Sequence, residues 1–474
     1  MRHPSSSTRL RIAALILLVA LMTPGCGSGS AKLSSNPSHE WTWTAGSDSW
    51  NQSGVYGSEG SSSPNNSPGA RELASGWSDS NGDLWIFGGD IAITGVGIAS
   101  VGNDLWKYSV ANGDWTWMGG SEVPNQPGVY GTIRLASASN MPGAREAATS
   151  WRDSFGNFWL FGGIAYDSIG ANAADMNDLW EFNPANGTWT WIVGSNLNSL
   201  SAAAKGIYGT QGIPSSSNSP GARDSSNAWT DSAGNLWLFG GFGYDSVGNI
   251  GALNDLWSFN PATKIWTWVS GSNTAFAPGV YGSIGVAASS NVPQARERAV
   301  GWIDSNGNLW LFGGIGWNSS AAGMLNDLWE FSIATNTWTW LSGSSTFDAN
   351  GVYGTQGVAA PSNVPGARER AIGWGDDNGD FWMYGGLMNG GSQFSDLWEY
   401  SVQSNMWTWV GGSTSTDLAA VYGTRGLGSE SNFPGSRSDA TGWTDTADGF
   451  WLFGGQQQDT NGNGLLNDLW LYHP

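Results

Sequence analysis

One unit of about 73 residues occurs six times in this chain of 474 residues. Each copy contains an arginine, a tryptophan six residues later, an apolar run that ends in Gly-Gly, and the triplet Asp-Leu-Trp. Five copies continue into the triplet Trp-Thr-Trp. Repeat arrays fold as one body, so this pattern overrides the two or three domains that the length alone would suggest.

Each landmark predicts a short strand between turn signals. In the first copy, strand A holds Trp77, strand B ends at Gly88-Gly89, strand C starts after Asp104 and strand D contains residues 115–117. The 71 glycines supply tight turns and the 32 tryptophans supply large buried areas. Four short antiparallel strands per unit are typical of a β-propeller blade.

The two ends of the chain complement each other. The sixth copy stops at Pro474 without a strand D, and an additional Trp-Thr-Trp stands at residues 41–43. Joining the ends would complete the sixth blade and leave no open sheet edge. The sequence therefore predicts an all-β, six-bladed β-propeller of four-stranded antiparallel blades over residues 40–474. We expect the N-terminal strand D to close it by pairing with the C-terminal strand C.

The same landmarks resemble a known repeat. Gly-Gly at the end of a strand, an aromatic residue in the next strand and tryptophan in the last strand are similar to the kelch repeat. The resemblance covers about residues 40–474. It implies a propeller in which strand A lies nearest the central channel, although this unit is longer than a usual kelch repeat of roughly 50 residues.

The N-terminal residues read as an export signal. Three arginines precede an apolar run that is too short to span a bilayer, and Gly25-Cys26 follows it. Residues 1–26 resemble a bacterial lipoprotein signal with Cys26 as the lipidated residue, and the Gly/Ser-rich residues 27–39 would form a tether. We expect an exported protein of the bacterial cell envelope, in the periplasm or at the cell surface, that contacts the membrane only through a lipid anchor.

Charge narrows the range of partners. The formal net charge is −20 and the chain has only four lysines. Binding of nucleic acid requires a basic surface that neutralises phosphates, and none is visible. An acidic surface suits neutral or cationic ligands, including sugars, although it also simply maintains solubility. We expect a monomer that binds a glycan or a protein.

The loops between strands B and C vary most in length, whereas the other spacings are nearly constant. These loops and the long D–A connections should emerge on one face, which we predict to be the binding face. The repeated arginine precedes strand A and would lie at the channel mouth of that face. It either binds a carboxylate or polyhydroxy ligand, or pairs with acidic neighbours and strand-end carbonyls as part of the scaffold. The six arginines are Arg71, Arg145, Arg223, Arg296, Arg368 and Arg437.

Aromatic residues in the variable loops are the other candidates for ligand contact. Trp317 lies outside the repeat positions that hold thirty of the tryptophans, and Tyr166 and Tyr244 occupy similar loops. A second set of tyrosines recurs in every unit and is interpreted as loop anchors. These six are Tyr56, Tyr130, Tyr208, Tyr281, Tyr353 and Tyr422.

The chain has only three histidines, and none lies within the blades. We therefore predict no histidine-based catalytic group, no metal site and no cofactor. Residues 459–464 resemble the start of a calcium loop, but Trp470 stands where its glutamate would be.

Three functions remain. The favoured hypothesis is a non-catalytic binding module of the cell envelope that uses the face with the B–C and D–A loops. One alternative is a carbohydrate-active enzyme, similar to the kelch-type sialic acid mutarotase, with Arg and Glu at the channel mouth. The other is a structural surface protein. Fold alone does not decide among them.

Overall fold

The computed structural model describes residues 39–92, 100–200, 204–318, 320–460 and 462–474. The predicted signal peptide, Cys26 and residues 27–38 of the tether lie outside the described residues. Every described residue belongs to one compact unit, Asn36–Pro474. None of the described residues belongs to a helix that could cross a membrane.

Strands are the only regular secondary structure among the described residues. The strands up to the end of the third repeat are β1 (Trp41–Ala45), β2 (Arg71–Glu72), β3 (Ser75–Ser78), β4 (Leu84–Phe87), β5 (Asp90–Ile91), β6 (Leu105–Ser109), β7 (Asp114–Gly119), β8 (Arg145–Glu146), β9 (Thr149–Arg152), β10 (Phe158–Phe161), β11 (Ile164–Ala165), β12 (Ala174–Asp175), β13 (Leu179–Asn183), β14 (Thr188–Val193), β15 (Arg223–Asp224), β16 (Asn227–Thr230), β17 (Leu236–Phe239), β18 (Phe242–Tyr244), β19 (Ile250–Ala252), β20 (Leu256–Asn260) and β21 (Ile265–Ser270).

The remaining three repeats continue in the same order. Their strands are β22 (Arg296–Glu297), β23 (Val300–Ile303), β24 (Leu309–Phe312), β25 (Ile315–Trp317), β26 (Ala322–Met324), β27 (Leu328–Ser332), β28 (Thr337–Ser342), β29 (Ile372–Gly375), β30 (Phe381–Tyr384), β31 (Leu397–Ser401), β32 (Met406–Gly411), β33 (Arg437–Ser438), β34 (Thr441–Thr444), β35 (Phe450–Phe453), β36 (Gln456–Asp459), β37 (Gly462–Leu465) and β38 (Leu469–Tyr472).

Six of the sheets among the described residues have four antiparallel strands, in the order A, B, C, D that the sequence predicts. The all-β fold of small four-stranded antiparallel sheets is therefore confirmed. We number these sheets by repeat: sheet 1 is β3-β4-β6-β7, sheet 2 is β9-β10-β13-β14, sheet 3 is β16-β17-β20-β21, sheet 4 is β23-β24-β27-β28, sheet 5 is β29-β30-β31-β32, and sheet 6 is β34-β35-β38-β1.

Burial follows the alternation of side chains. Strand B is buried at all four positions in every sheet, as in β4, because both of its faces are covered by neighbouring sheets. Strand A alternates between buried and more exposed positions. Each of the six hydrophobic clusters joins residues of two consecutive sheets, and one of them joins sheet 6 to sheet 1.

The variable B–C segments contain more order than the sequence indicated. In the second repeat, β11 and β12 form a hairpin, and β11 also pairs with β8, which holds the repeated arginine. Similar small sheets combine β15 with β18 and β19, β22 with β25 and β26, and β33 with β36 and β37. In five repeats the arginine thus belongs to a two-residue strand of its own with the B–C segment beside it, and in the fifth repeat an isolated bridge joins Glu369 to Leu387.

The connection that leads into each repeat folds back along that repeat's outer strand. In the first repeat, the Gly60 N–H donates to the Trp117 carbonyl oxygen at 2.7 Å, and Ser63 forms a bridge with Trp115. Equivalent bridges join Ser137 to Trp189 and Ser429 to Trp41. The outer edge of each sheet is therefore covered, which protects it from edge-to-edge pairing.

Residues from the two ends of the sequence share sheet 6. In the β1–β38 pair, Trp41 stands opposite Tyr472 and Trp43 opposite Trp470. The strand A of each sheet also contacts the strand A of the next one, and β34 contacts β3. The six sheets thus follow one another in a cyclic order of contacts.

Candidate functional site

The repeated arginine is buried in the same arrangement in every repeat. Arg71 donates from Nη1 to Asp104 Oδ1 at 2.9 Å and from Nη2 to Asp104 Oδ2 at 2.7 Å. It also donates from Nη1 to the Gly88 carbonyl oxygen and from Nε to the Gly69 carbonyl oxygen. Burial alone would raise the pKa of Asp104, but the Arg71 charge holds it below its usual value.

A tyrosine and a tryptophan complete the arrangement. The Tyr56 hydroxyl and the Trp106 indole N–H both donate to Asp104 Oδ2. The tyrosine comes from the connection, so it fixes that segment to the sheet, as predicted for the six loop anchors. The other five ion pairs are Arg145–Asp178, Arg223–Asp255, Arg296–Asp327, Arg368–Asp396 and Arg437–Asp468.

This geometry corrects the hypothesis that the six arginines contact a ligand. Their side chains are at most 1 % exposed, and four of the five N–H groups of Arg71 already have protein acceptors. The alternative, pairing within the scaffold, describes them better. The acidic partner is the aspartate that precedes strand C, not the acidic residue next to the arginine. The six residues are Arg71, Arg145, Arg223, Arg296, Arg368 and Arg437.

The second residue after each arginine has left-handed backbone geometry, with φ between 52° and 59°. Its N–H donates to the carbonyl oxygen of the equivalent residue one repeat earlier, at 2.9 to 3.2 Å, and the Leu73 N–H donates to Asp439. Six non-glycine residues in this strained region indicate that the surrounding structure enforces the conformation. We call this cycle of six backbone hydrogen bonds the αL belt; its members are Leu73, Ala147, Ser225, Arg298, Arg370 and Asp439.

Carboxyl groups gather around the αL belt. The residue directly after the repeated arginine is acidic in five repeats, and the belt itself adds one aspartate and two arginines. We call this group of charged side chains the central basin; it consists of Glu72, Glu146, Asp224, Glu297, Glu369, Asp439, Arg298 and Arg370.

Burial raises the pKa values of Glu72, Glu146 and Glu297 in the central basin. Burial, followed by the charges of Asp439 and Asp90, raises the pKa of Glu72 to about 8. Burial raises the pKa values of Glu146 and Glu297 to about 7. The Oε2 atom of Glu72 is buried and has no hydrogen-bond partner among the described residues. Near neutral pH these groups can therefore both donate and accept hydrogen bonds.

A pair of buried carboxyl groups connects the central basin to a B–C hairpin. Asp175, on the B–C hairpin of the second repeat, hydrogen-bonds to Asp224 of the third. These residues are 8 % and 5 % exposed, respectively. Burial and the Asp224 charge raise the pKa of Asp175 above its usual value.

The two arginines lie on one side of the basin. Arg298 lies 3.5 Å from Glu297 Oε2 through Nε and 3.6 Å from Glu369 Oε2 through Nη1. Arg370 donates from Nη1 to Asp439 Oδ2 at 2.7 Å. Their side chains are 26 % and 20 % exposed, respectively, in contrast to the buried repeated arginines. The repeats that contribute Glu72, Glu146 and Asp224 supply no arginine at the belt position.

The three predicted aromatic residues occupy equivalent positions in consecutive repeats. The backbone N–H of Tyr166, Tyr244 and Trp317 each donates to an alanine carbonyl oxygen just before the repeated arginine, at 2.8 to 2.9 Å. All three side chains are partly buried. The Trp317 ring packs 5.7 Å from Phe276 and 6.1 Å from Phe242, measured between centroids. We call these three residues the aromatic arc.

Sequence reasoning missed Arg298, Arg370 and Asp175. The belt position changes from Leu73 to Ala, Ser, Arg, Arg and Asp through the six repeats, while the arginine two residues earlier never changes. Such variation inside an otherwise constant unit was a usable signal for a functional position. Asp175 lies in a loop of variable length, so the sequence does not show which residue of the next repeat it contacts. No family model matches this chain, and no curated protein matches it.

Proposed function

We propose that this protein is a six-bladed β-propeller of the kelch type that binds a glycan, without catalysis, at the central basin. The ligand would lie on the face formed by the B–C and D–A segments. The observation that carries the proposal is the position of the aromatic arc beside the carboxyl groups of the central basin.

Several contacts support the propeller architecture. Sheets 1 to 6 follow one another in a cyclic order, and the αL belt returns from Asp439 to Leu73. A cavity of about 410 Å³ is lined by residues from strand A of sheets 2 to 6, as a central channel would be. The pairing of β1 with β38 supplies the fourth strand of sheet 6. Full closure by this strand is the arrangement that the terminal motifs favour.

The spacing within the B–C hairpins supports a sugar site. Ile164 stands opposite Glu146, and Tyr166 follows it by two residues, which is about 7 Å along a strand. Ile315 and Trp317 have the same relation to Glu297. A pyranose ring can therefore stack on an aromatic face while its hydroxyl groups meet the carboxyl groups. Polar groups of this kind fix orientation in ligand sites that are otherwise aromatic.

Glycan-array binding by the purified protein tests this proposal. Trp317→Ala should lose most of the signal, whereas Phe155→Ala should keep it. Phe155 is 88 % exposed and lies on the A–B turn of sheet 2, between β9 and β10, so it controls for the loss of an aromatic surface. Equal loss in both variants would refute a glycan site at the central basin. No glycan signal in the unmodified protein would refute glycan binding and favour a protein ligand.

A second candidate is a carbohydrate-active enzyme similar to the kelch-type sialic acid mutarotase. The specific observation in its favour is Glu72, because its raised pKa of about 8 leaves it protonated at neutral pH. A protonated carboxyl group beside a partly exposed arginine is suited to general acid catalysis. Arg298 and Arg370, rather than the six repeated arginines, would then supply the cationic groups.

Exchange spectroscopy by NMR separates the two candidates. A mutarotase accelerates anomer exchange of a reducing sugar, and Glu72→Gln should remove that acceleration while sugar binding persists. A binding module leaves the exchange rate unchanged at any protein concentration.

We also propose export to the bacterial cell envelope with a lipid on Cys26. The motif of residues 1–26 supports this location, and the Gly/Ser-rich residues that follow would separate the folded unit from the membrane. The proposal places the central basin where it meets extracellular or periplasmic glycans.

A further inference from the structure

A large cavity lies between sheets 5 and 6, among residues that the central basin does not include. Its volume is about 1070 Å³, and its lining includes His39, Trp41, Trp382, Glu399 and Tyr472. We call it the junction cavity. Trp382, Trp41 and Tyr472 are nearly buried in its wall, with exposures of 3 %, 6 % and 2 %.

Three carboxylates lie close together here, and two of them, Asp376 and Glu399, line the junction cavity. One oxygen atom each of Asp376, Asp380 and Glu399 lies within 4.8 Å of the other two. Asp376 accepts the Trp382 indole N–H, and Asp380 accepts the Val402 backbone N–H. Glu399 has no hydrogen bond or ion pair to any described residue.

At the equivalent positions in two other repeats, an asparagine side chain donates hydrogen bonds to both acidic side chains. In the second repeat, the Asn157 amide nitrogen donates to Asp153 Oδ2 at 3.2 Å and to Glu181 Oε1 at 2.9 Å. In the fourth repeat, Asn308 bridges Asp304 and Glu330 in the same way. Asp380 replaces this asparagine in the fifth repeat, so a carboxylate stands where an amide donor joined the other two.

The second repeat shows which group fits against such a tryptophan and glutamate. Lys264 Nζ lies 4.6 Å from the centre of the Trp159 ring and 3.6 Å from Glu181 Oε2. Trp159 is the equivalent of Trp382, and Glu181 is the equivalent of Glu399. In the first repeat, Lys107 Nζ likewise lies 5.7 Å from the centre of the Trp85 ring and forms an ion pair with Asp83.

His39 takes the place of Lys264 at the junction cavity. Both residues stand two positions before the first tryptophan of strand D, and both have positive φ, 70° and 59°. His39 is shorter than lysine, and its Nδ1 lies 3.1 Å from the Tyr472 hydroxyl. The fifth repeat therefore keeps the tryptophan (Trp382) and the glutamate (Glu399) and has an additional carboxylate (Asp380). No described residue places an ammonium group beside them.

We propose that the junction cavity binds a primary ammonium group of a ligand, held over Trp382 and against Glu399, Asp376 and Asp380. Ring faces and carboxylates both attract an ammonium ion, and the volume admits the rest of a small molecule or a lysine side chain. The carboxylates alone would not identify the ligand. Lys264, which lies against the equivalent tryptophan and glutamate of the second repeat, indicates an ammonium group. A calcium ion takes six to eight oxygen ligands, and both oxygen atoms of Asp376 and one of Asp380 already accept N–H groups of the protein.

Calorimetric titration of the full chain with pentylammonium chloride tests the proposal. We expect saturable binding at one site, and no binding of 1-pentanol, which has the same chain without the charge. A blocked tripeptide, acetyl-Gly-Lys-Gly-amide, distinguishes a lysine side chain from a free amine as the preferred source. Equal binding of 1-pentanol would overturn the proposal, as would the absence of binding by both amines.

Two variants copy residues that other repeats already use, so they should fold. Asp380→Asn restores the bridging amide, and His39→Lys restores the internal ammonium group. Each should weaken pentylammonium binding about tenfold or more. Glu330→Gln is the matched control, because it alters the equivalent glutamate of the fourth repeat, and it should leave binding unchanged.

Two outcomes of the variant series would overturn the proposal. One is unaltered pentylammonium binding by both Asp380→Asn and His39→Lys. The other is a site that binds Ca²⁺ or Mg²⁺, loses that metal in Asp380→Asn and excludes pentylammonium when the metal is present. The site is independent of the central basin, so loss of glycan binding in Trp317→Ala leaves this test intact.

Discussion

Trp41 and Tyr472 come from opposite ends of the sequence and stand opposite each other in sheet 6, with their ring centroids 5.0 Å apart. Trp41 also packs against Tyr384 of sheet 5, at 5.3 Å between centroids. The first described strand thus contributes to the core of the last repeat and to its junction with the fifth.

Trp41→Ala should lower the free energy of unfolding by about 3–5 kcal/mol, because it removes a buried aromatic side chain from this junction. Chemical denaturation measures the change. Trp43→Ala, in the same strand but only partly buried, should cost less than half as much. Equal costs in the two variants would show that β1 adds little to the junction.

Asp178→Asn should also lower the free energy of unfolding by about 3–5 kcal/mol, because it leaves the buried Arg145 without its counter-charge. Lys107→Gln removes the partly exposed pair with Asp83 and should cost less than about 1 kcal/mol. The double variant Arg145→Met/Asp178→Leu should recover only part of the loss, because the Tyr130 hydroxyl and the Trp180 N–H also lose their acceptor. If Asp178→Asn matches Lys107→Gln in thermal and chemical denaturation, the buried pair is not a scaffold element.

Glu72 should make the protein less stable as the pH rises. Burial raises its pKa from 4.5 to about 8, so the folded state keeps a proton that the unfolded state has already lost. The free energy of unfolding should therefore fall between about pH 4.5 and 8 and level off above that. Glu72→Gln should remove this part of the decrease, which amounts to about 1.4 kcal/mol for each unit of the pKa difference. Parallel stability curves for the two proteins would contradict the prediction.

Cys26→Ser should release the protein from the membrane fraction of an expressing bacterium, because the serine side chain cannot carry the thioether-linked lipid. Cell fractionation and the mass of the mature N-terminus measure this outcome. Persistence of Cys26→Ser in the membrane fraction would argue against the lipid anchor.

The strands could be read from the sequence because their signals repeat. Trp77 with its equivalents, and the Gly-Gly pairs that close strand B, mark each element at constant spacing, and the structure has a strand at each place. The hairpins between strands B and C were not predicted, because their lengths differ and carry no common residue. β11 and β12 illustrate this, since only the pairing of β11 with β8 reveals their register.

The site was less predictable for a physical reason. A guanidinium group can donate its hydrogen bonds to a ligand or to the protein. The residues around Arg145 in the sequence do not show which of the two it does. Its partner Asp178 lies 33 residues away, and only the fold brings the two together. Conversely, the role of Arg298 depends on the backbone geometry of the αL belt, which residue types alone do not specify. The equivalence of Tyr166, Tyr244 and Trp317 is visible only in the structure, where each makes the same backbone hydrogen bond in its repeat.

The segment that folds back along each outer strand limits how another protein can attach. A partner peptide cannot extend these sheets by β-augmentation, because the main-chain groups of Trp115 and its equivalents already bond to the incoming connection. Recognition at the perimeter must therefore depend on side chains and surface shape, and donor-strand exchange between copies would first require this segment to detach.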